Sequence, residues 1–241
     1  MKETEKTAFF SNRKGYRHEF KYVIDPIQLE SLRERLPVVL SGDPYAGPAG
    51  VYEVRSLYFD DYRNSCYKEN EDGTDPREKF RIRIYNGSPS RLSLELKRKQ
   101  AGMTLKRSCL ITLDQFEGLF NGTLKMRDDM PPLLKKMIIQ QETRLLRPKI
   151  IVEYDRVPFV YRDGNVRVTL DTNIRSSADL EYFLEPASMA KPIMPVGNNL
   201  LEVKFDDYLP DFIKRAIHMK GLRQTAFSKY YLCRKFGGLS V

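Results

Sequence analysis

The chain has 241 residues, 41% of them hydrophobic and 30% charged, which suits one large domain or at most two. Lys and Arg together number 41 against 32 Asp and Glu, and the net charge of +9 predicts an anionic partner without separating nucleic acid, anionic lipid, nucleotide and polyphosphate. Two histidines leave almost no material for a Ser-His-Asp triad or a His-rich metal site. The three cysteines, Cys66, Cys109 and Cys233, are far apart and form no CxxC pair, so they read as reduced thiols of a cytosolic protein. Nothing up to Glu30 resembles an apolar signal core, and no run is long enough to span a bilayer, so a soluble, cytoplasmic protein is expected.

Residues 1–14 are polar and expected to be loose, and Tyr16 to Ile24 reads as the first strand. Asp25-Pro26 looks like an N-cap followed by proline at the first helical position, with Leu29, Leu32 and Leu36 on one face and Pro37 ending or kinking the helix. Val51 to Phe59 is a strand, and Glu69 to Pro76 is acidic and turn-rich.

Lys79 to Lys99 then gives two runs of strict alternation around Asn86-Gly87. Successive strand side chains point to opposite faces, so Arg81 and Arg83 share one face and Phe80, Ile82 and Ile84 the other. In the second run Glu95 and Lys97 are backed by Leu92, Leu94 and Leu96. Asn-Gly between such runs signals a hairpin, here with an insert longer than two residues.

Thr104 to Ile111 is the next strand, and Thr112 with Gln115 forms a capping box for a helix bearing Phe116, Leu119 and Phe120. A second helix starts at Pro131-Pro132 and carries Leu134, Met137 and Ile138 inward. Strands resume at Lys149, turn at Asp163-Gly164 and run from Val166 to Thr172. Glu185 to Asn199 reads as an irregular excursion, Leu200 to Phe205 as a last strand, Pro210 to Gly221 as a helix and Phe227 to Lys235 as a final one, with 236–241 a tail.

Singly, a strand with alternate charges is usually one with a solvated face. Repetition changes the weighting. Glu19-x-Lys21, Glu202-x-Lys204 and Glu153-x-Asp155 place charges two apart, and Arg167-Val168-Thr169-Leu170-Asp171 places them four apart, on one strand face with other side chains between. The reading is an α+β fold in which about eight antiparallel strands form a barrel with its charged face inward, and helices cover the oily outside.

No Walker A loop and no GxGxxG is present, so a phosphate ligand would be gripped by side chains, with Lys21, Arg81, Arg83, Lys97, Lys106 and Arg167 the candidates. Crowding these cations is costly, since two unit charges 4 Å apart repel by about 4 kcal/mol at an effective dielectric near 20. The neighbouring carboxylates and a bound anion would offset it. A carboxylate-only metal site favours Mg²⁺ or Mn²⁺, with Glu202 the first choice of ligand, Glu19 the second, and Glu95 and Glu153 further candidates. Asp60-Asp61 and Asp206-Asp207 read as turn and cap residues, and Cys109 as core.

Glu-x-Lys in the first strand, Arg81-Ile82-Arg83-Ile84-Tyr85, Glu95-Leu96-Lys97, Arg167 to Thr172, Glu202-Val203-Lys204 and Phe227-Ser228-Lys229-Tyr230 together resemble the VTC domain, from about Arg17 to Lys235. That domain is the polyphosphate polymerase branch of the triphosphate tunnel (CYTH-like) superfamily. The resemblance implies a single β-tunnel domain over 1–241, with Lys21, Arg81, Arg83, Lys97, Lys106 and Arg167 along the phosphate path. It further implies that Glu202 holds Mn²⁺ or Mg²⁺ with Glu19 nearby, and that Lys204, Ser228 and Lys229 complete the wall. The implied activity is transfer of the terminal phosphoryl of ATP to polyphosphate. Eukaryotic members can carry a lysine where this chain has Ala226.

Two alternatives remain open on the residues: a metal-dependent triphosphatase, and a non-catalytic polyphosphate or RNA-binding module. No RNP-like aromatic pattern accompanies the basic residues, so nucleic acid is not the expected partner. A membrane partner is not indicated.

Overall fold

A computed structural model describes residues 14–185 and 190–237. The expectations for residues 1–13, 186–189 and 238–241 lie outside the described residues. The strands are β1 His18–Ile24, β2 Ser41–Gly42, β3 Tyr52–Asp60, β4 Arg77–Tyr85, β5 Ser88–Gln100, β6 Met103–Ile111, β7 Arg147–Tyr161, β8 Val166–Ser177, β9 Lys191–Pro192 and β10 Asn199–Phe205. The helices are α1 Pro26–Val39, α2 Ser65–Glu71, α3 Leu113–Asn121, α4 Pro132–Arg144, α5 Asp211–Ile217 and α6 Lys229–Gly237.

Eight strands form one path, β1-β10-β8-β7-β3-β4-β5-β6, every pairing antiparallel, while β2 and β9 attach at β7 and β8. The path curls until its two ends meet. Arg17 and Thr104 exchange backbone hydrogen bonds of 2.9 Å each way, joining the start of β1 to β6 at one isolated bridge. The α+β tunnel architecture expected from the alternation is the one observed.

Its outer surface is greasy and helix-covered. Phe80, Ile82, Ile84, Leu92, Leu94 and Leu96 pack beneath Phe116 and Leu119 of α3 and Leu134 and Met137 of α4. Around the barrel, Val168, Leu170, Leu201 and Val203 pack beneath Leu32 and Leu36 of α1 and Ile213 and Ile217 of α5. The helix starts follow local chemistry: Asp25 with Gln28 and Thr112 with Gln115 form reciprocal capping boxes, and Gly122 closes α3 in the left-handed region.

The interior differs from a purely charged one. Tyr52, Val54, Ile150, Val152 and Tyr154 form an inner apolar cluster with Phe227, Tyr230 and Cys233. These strand residues share the inward face with the cations, and α6 covers them from inside. The Tyr230 hydroxyl donates to buried Asp60, which ties α6 to the end of β3.

Several local expectations are corrected. The β4–β5 turn is only Asn86-Gly87, both at positive φ (52° and 63°), the conformation of a two-residue hairpin turn, so Ser88-Pro89-Ser90 belongs to the strand. Pro37 does not end α1, which runs on to Val39. It falls in the last turn, where the next cap bond, Leu40 N–H to the Leu36 carbonyl, does not need its missing N–H. The first three residues of the acidic run, Glu69 to Glu71, are the end of helix α2, docked on α6. Helix α5 stops at Ile217, short of Gly221, and α6 starts at Lys229.

Candidate active site

The inward face encloses a cavity of about 430 Å³. Lys79, Arg81 and Arg83 reach it from β4, Lys97 and Lys99 from β5, and Glu19 and Lys21 from β1. Arg156 of β7, Glu202 and Lys204 of β10, and Ser228 and Lys229 at the start of α6 also line it. The register explains the convergence: Lys21 lies opposite Glu202, Glu19 opposite Lys204, Arg81 opposite Glu95 and Lys79 opposite Lys97, so each pair shares a face. The segment before α6 is stitched to β1, with Thr225 N–H on the Lys21 carbonyl at 2.9 Å and Lys21 Nζ on the Phe227 carbonyl at 2.9 Å. Ser228 Oγ accepts from Tyr231 N–H at 3.3 Å, as a cap does.

Eight cations share four carboxylates here. Glu95 takes Arg81 at 2.6 Å, Arg83 at 3.8 Å and Lys106 at 3.1 Å. Asp171 takes both Nε and Nη2 of Arg156, at 2.7 and 2.8 Å, and Lys229 at 2.6 Å. Glu202 holds Lys204 at 2.7 Å with Arg156 and Lys229 at 3.8 and 3.9 Å. Glu19 holds Lys97 at 2.7 Å with Lys204 and Lys21 at 3.5 and 3.6 Å. The carboxylates fix the cations in place and still leave a surplus of positive charge facing the cavity.

Ionisation follows from this lattice. Burial pushes the Glu202 carboxyl up, but Lys204, Lys21, a hydrogen bond with Glu19 and Lys229 outweigh it and hold it well below the usual range. Burial also opposes ionisation of Glu19, and Lys21 and Lys97 overcome it. Glu95 is likewise held well below its ordinary value by Arg81, Arg83 and Lys106 against burial. Burial lowers Lys97 to about 7 despite Glu19 and Glu202, and lowers Lys79 to about 7 with Arg77 and Lys21 adding to the effect. Tyr154 is raised by burial but ends below its ordinary value because Arg156, Arg83 and Lys229 surround it.

Nine of the eleven site residues named from sequence line the cavity: Glu19, Lys21, Arg81, Arg83, Lys97, Glu202, Lys204, Ser228 and Lys229. Lys106 and Arg167 do not. Lys106 is half exposed and bound to the Glu95 oxygen away from Arg81, and Arg167 is tied to Asp43 at 2.7 Å and the Tyr52 hydroxyl at 2.8 Å. Glu95 stands behind Arg81 rather than on the cavity wall, and Glu153 faces outward, on Arg55 Nε at 2.7 Å. On β7 the parity is opposite to the one read from Glu153 and Asp155, and the inward pair is Tyr154 and Arg156. Arg156, Asp171, Lys79, Tyr58 and Tyr154 were missed as site residues. For Lys79 the signal was present, since it continues the Arg81, Arg83 alternation by one step.

The VTC domain family model matches residues 16–236. The chain belongs to the VTC domain family. No curated protein gives a significant match. Among solved structures, this VTC domain is similar to the Hippeastrum protein HpAC1, whose description gives it a dominant triphosphatase activity, at 13% identity and TM-score 0.52, covering 91% of this chain and 95% of that one. It is also similar to the PH1819 protein of Pyrococcus horikoshii OT3, at 13% identity and TM-score 0.48, covering 91% and 99%. At such identity the first likeness concerns the fold alone. No helix among the described residues of the VTC domain is long and apolar enough to cross a membrane.

The donor set of this VTC domain fits a hard divalent cation. Glu19 and Glu202 lie on the paired strands β1 and β10, and the surrounding lysines hold both carboxyls below their ordinary values. Among the described residues no group of three or more His, Cys, Asp or Glu assembles, so the protein offers no closed cage. Mg²⁺-type ions are commonly held this way, by one or two carboxylates with phosphate oxygens and water supplying the rest.

Proposed function

We propose that this VTC domain is a single tunnel domain and a metal-dependent phosphotransferase, moving the terminal phosphoryl of ATP onto a polyphosphate chain held in the cavity. The observation that carries the proposal is the surplus of fixed cations: seven ion-paired cations, Lys21, Arg81, Arg83, Lys97, Arg156, Lys204 and Lys229, line a space of about 430 Å³. Phosphoryl transfer asks a protein mainly for positioning and charge neutralisation, with little covalent work.

The guanidinium groups of Arg81, Arg83 and Arg156 are held rigid by Glu95, Ser56, Tyr58 and Asp171, so their remaining N–H donors are pre-aimed at phosphate oxygens. Lys21, Lys97, Lys204 and Lys229 add point charges that follow the phosphoryl group as its charge spreads in the transition state. Glu202 and Glu19 would hold the divalent ion, Mn²⁺ or Mg²⁺, which when bound neutralises charge on the bridging and terminal oxygens.

A metal-dependent triphosphatase is the second reading, with water as acceptor. It is favoured by the apolar cluster of Tyr52, Val54, Val152 and Phe227, which occupies part of the barrel interior and limits the room for a threaded chain.

Incubation with ATP, Mg²⁺ or Mn²⁺ and a short phosphate primer separates the readings. Chain lengthening is expected; orthophosphate release from tripolyphosphate without lengthening replaces polymerase by triphosphatase. Glu202→Gln is expected to abolish metal-dependent turnover while tripolyphosphate binding persists, because the cations remain. Equal loss of both would make Glu202 structural.

A further inference from the structure

The cavity has two electrostatic zones, and the outer one has its own chemistry. Exposed Glu71 and Gly73 line the cavity together with Asn70, so this side is where it reaches the surface. Beside them lie Arg77, Lys79 and Lys99, all partly buried and all lining the cavity. The inner cations are each ion-paired, whereas among the described residues these three make no ion pair. Lys79 has only neutral partners, Asn70 Oδ1 at 2.7 Å and Ser228 Oγ at 3.4 Å, and its Nζ stands 5.0 Å from the centre of the Tyr230 ring. Arg77 donates to the Thr74 carbonyl at 2.7 Å. Of the acids around them, Asp75 accepts twice from Ala101 N–H and Glu71 accepts from the Tyr231 hydroxyl, while Glu69 attracts Arg77 and Glu19 attracts Lys99 without forming an ion pair.

The strand register sharpens the point. Arg77 lies directly opposite Lys99 and Lys79 directly opposite Lys97. Like charges facing each other across an antiparallel pair are destabilising, so the empty arrangement stands at a cost that an arriving anion removes. Burial, with Arg77 and Lys21 nearby, lowers both Lys79 and Lys99 from their ordinary values.

We propose that Arg77, Lys79 and Lys99 form an outer phosphate station that holds the units of a linear polyphosphate lying beyond the inner cage, so that long chains bind more tightly than tripolyphosphate. The station rests on the phosphate-binding reading given above. Along β4 the inward cations Arg77, Lys79, Arg81 and Arg83 recur every second residue, a row of about 20 Å at about 3.3 Å per residue. Three phosphorus atoms joined through bridging oxygens cannot span it. A polyphosphate chain supplies one charge-bearing unit after another along such a row, with no sugar or base to accommodate.

The test is titration of the full chain, wild type and Arg77→Gln/Lys99→Gln, with tripolyphosphate and with long-chain polyphosphate at several salt concentrations. The double variant is expected to lower the ratio of long-chain to tripolyphosphate affinity by about tenfold or more, each charge-assisted contact being worth about that factor. The salt slope for the long chain alone is expected to fall by about one per cation removed. Ligand-free melting temperature is expected to hold or rise, because a like-charge pair has been removed; a variant that melts far below wild type would contradict the unpaired state argued here. Equal weakening of both ligands, or no change in either, overturns the station while leaving the inner cage. Displacement of long-chain polyphosphate by an equal concentration of single-stranded RNA phosphates would make the mouth a nucleic-acid surface and overturn it too. Wild-type protein that binds neither phosphate refutes the phosphate reading itself.

Discussion

Lys79 shows how surroundings change an ordinary strand lysine. Desolvation by burial is the main cause of its drop to about 7, reinforced by Arg77 and Lys21 and opposed by Cys66 and Asp60, with Asn70, Ser228 and the Tyr230 ring as its uncharged neighbours. The folded value lies below the ordinary 10.5, so between about 7 and 10.5 the unfolded chain binds the extra proton. Ligand-free stability therefore gains from this lysine as pH rises across that window, and the cost of its charge is fully present below about 7. A phosphate ligand reverses the preference, because it favours the ammonium form, so binding takes up a proton. Lys79→Arg keeps its charge throughout. The expected outcome is that wild type, relative to Lys79→Arg, gains melting temperature and loses long-chain polyphosphate affinity as pH rises through about 7. Parallel pH profiles for the two proteins would show that Lys79 does not titrate there.

At the scale of elements, strands and helices divide the work between them. Helix α1 only covers the outside, and Leu32 is fully buried against β8 and β10. Leu32→Ala is expected to destabilise the protein by about 2–5 kcal/mol while the folded fraction keeps its phosphate affinity. Helix α6 is different, because it carries Ser228 and Lys229 on its leading end and is anchored by Tyr230 to Asp60. Removing that hydroxyl with Tyr230→Phe leaves Asp60 short of a donor, a cost of about 1–3 kcal/mol, and frees the leading end of the helix. Here stability and tripolyphosphate affinity are expected to fall together, read by denaturant titration and by calorimetry. If the two variants behave alike, α6 is a cover and not a part of the site.

For the whole molecule, the net charge of +9 matters less than where the positive charge is kept. Exposed charges are screened within about 10 Å at 0.1 M salt, whereas charges inside an enclosed wall are screened much less. A multivalent anion that binds only the folded tunnel stabilises it by mass action, about 2.7 kcal/mol at a hundred times its dissociation constant. Tripolyphosphate is therefore expected to raise the melting temperature well beyond an equal concentration of orthophosphate. No shift with tripolyphosphate would count against an organised cage.

The sequence by itself determined what local rules govern: the alternation of β4 and β5, the Asn86-Gly87 turn, the capping boxes of α1 and α3, and the Glu-x-Lys pairs of β1 and β10. Seven of the nine named site residues on the cavity lie on strands, whose faces are fixed by parity, which sequence records directly; Ser228 and Lys229 were implied only by the family resemblance. Only the tertiary structure decided which parity faces inward on β7, where both faces carry charge and Arg55 draws Glu153 to the outside. It also decided that α6 fills part of the barrel, that Asp171 supports Arg156 and Lys229, and that Arg77, Lys79 and Lys99 make no ion pair among the described residues. Those outcomes depend on which side chains from distant strands meet after the sheet has curled, and no single strand carries that information.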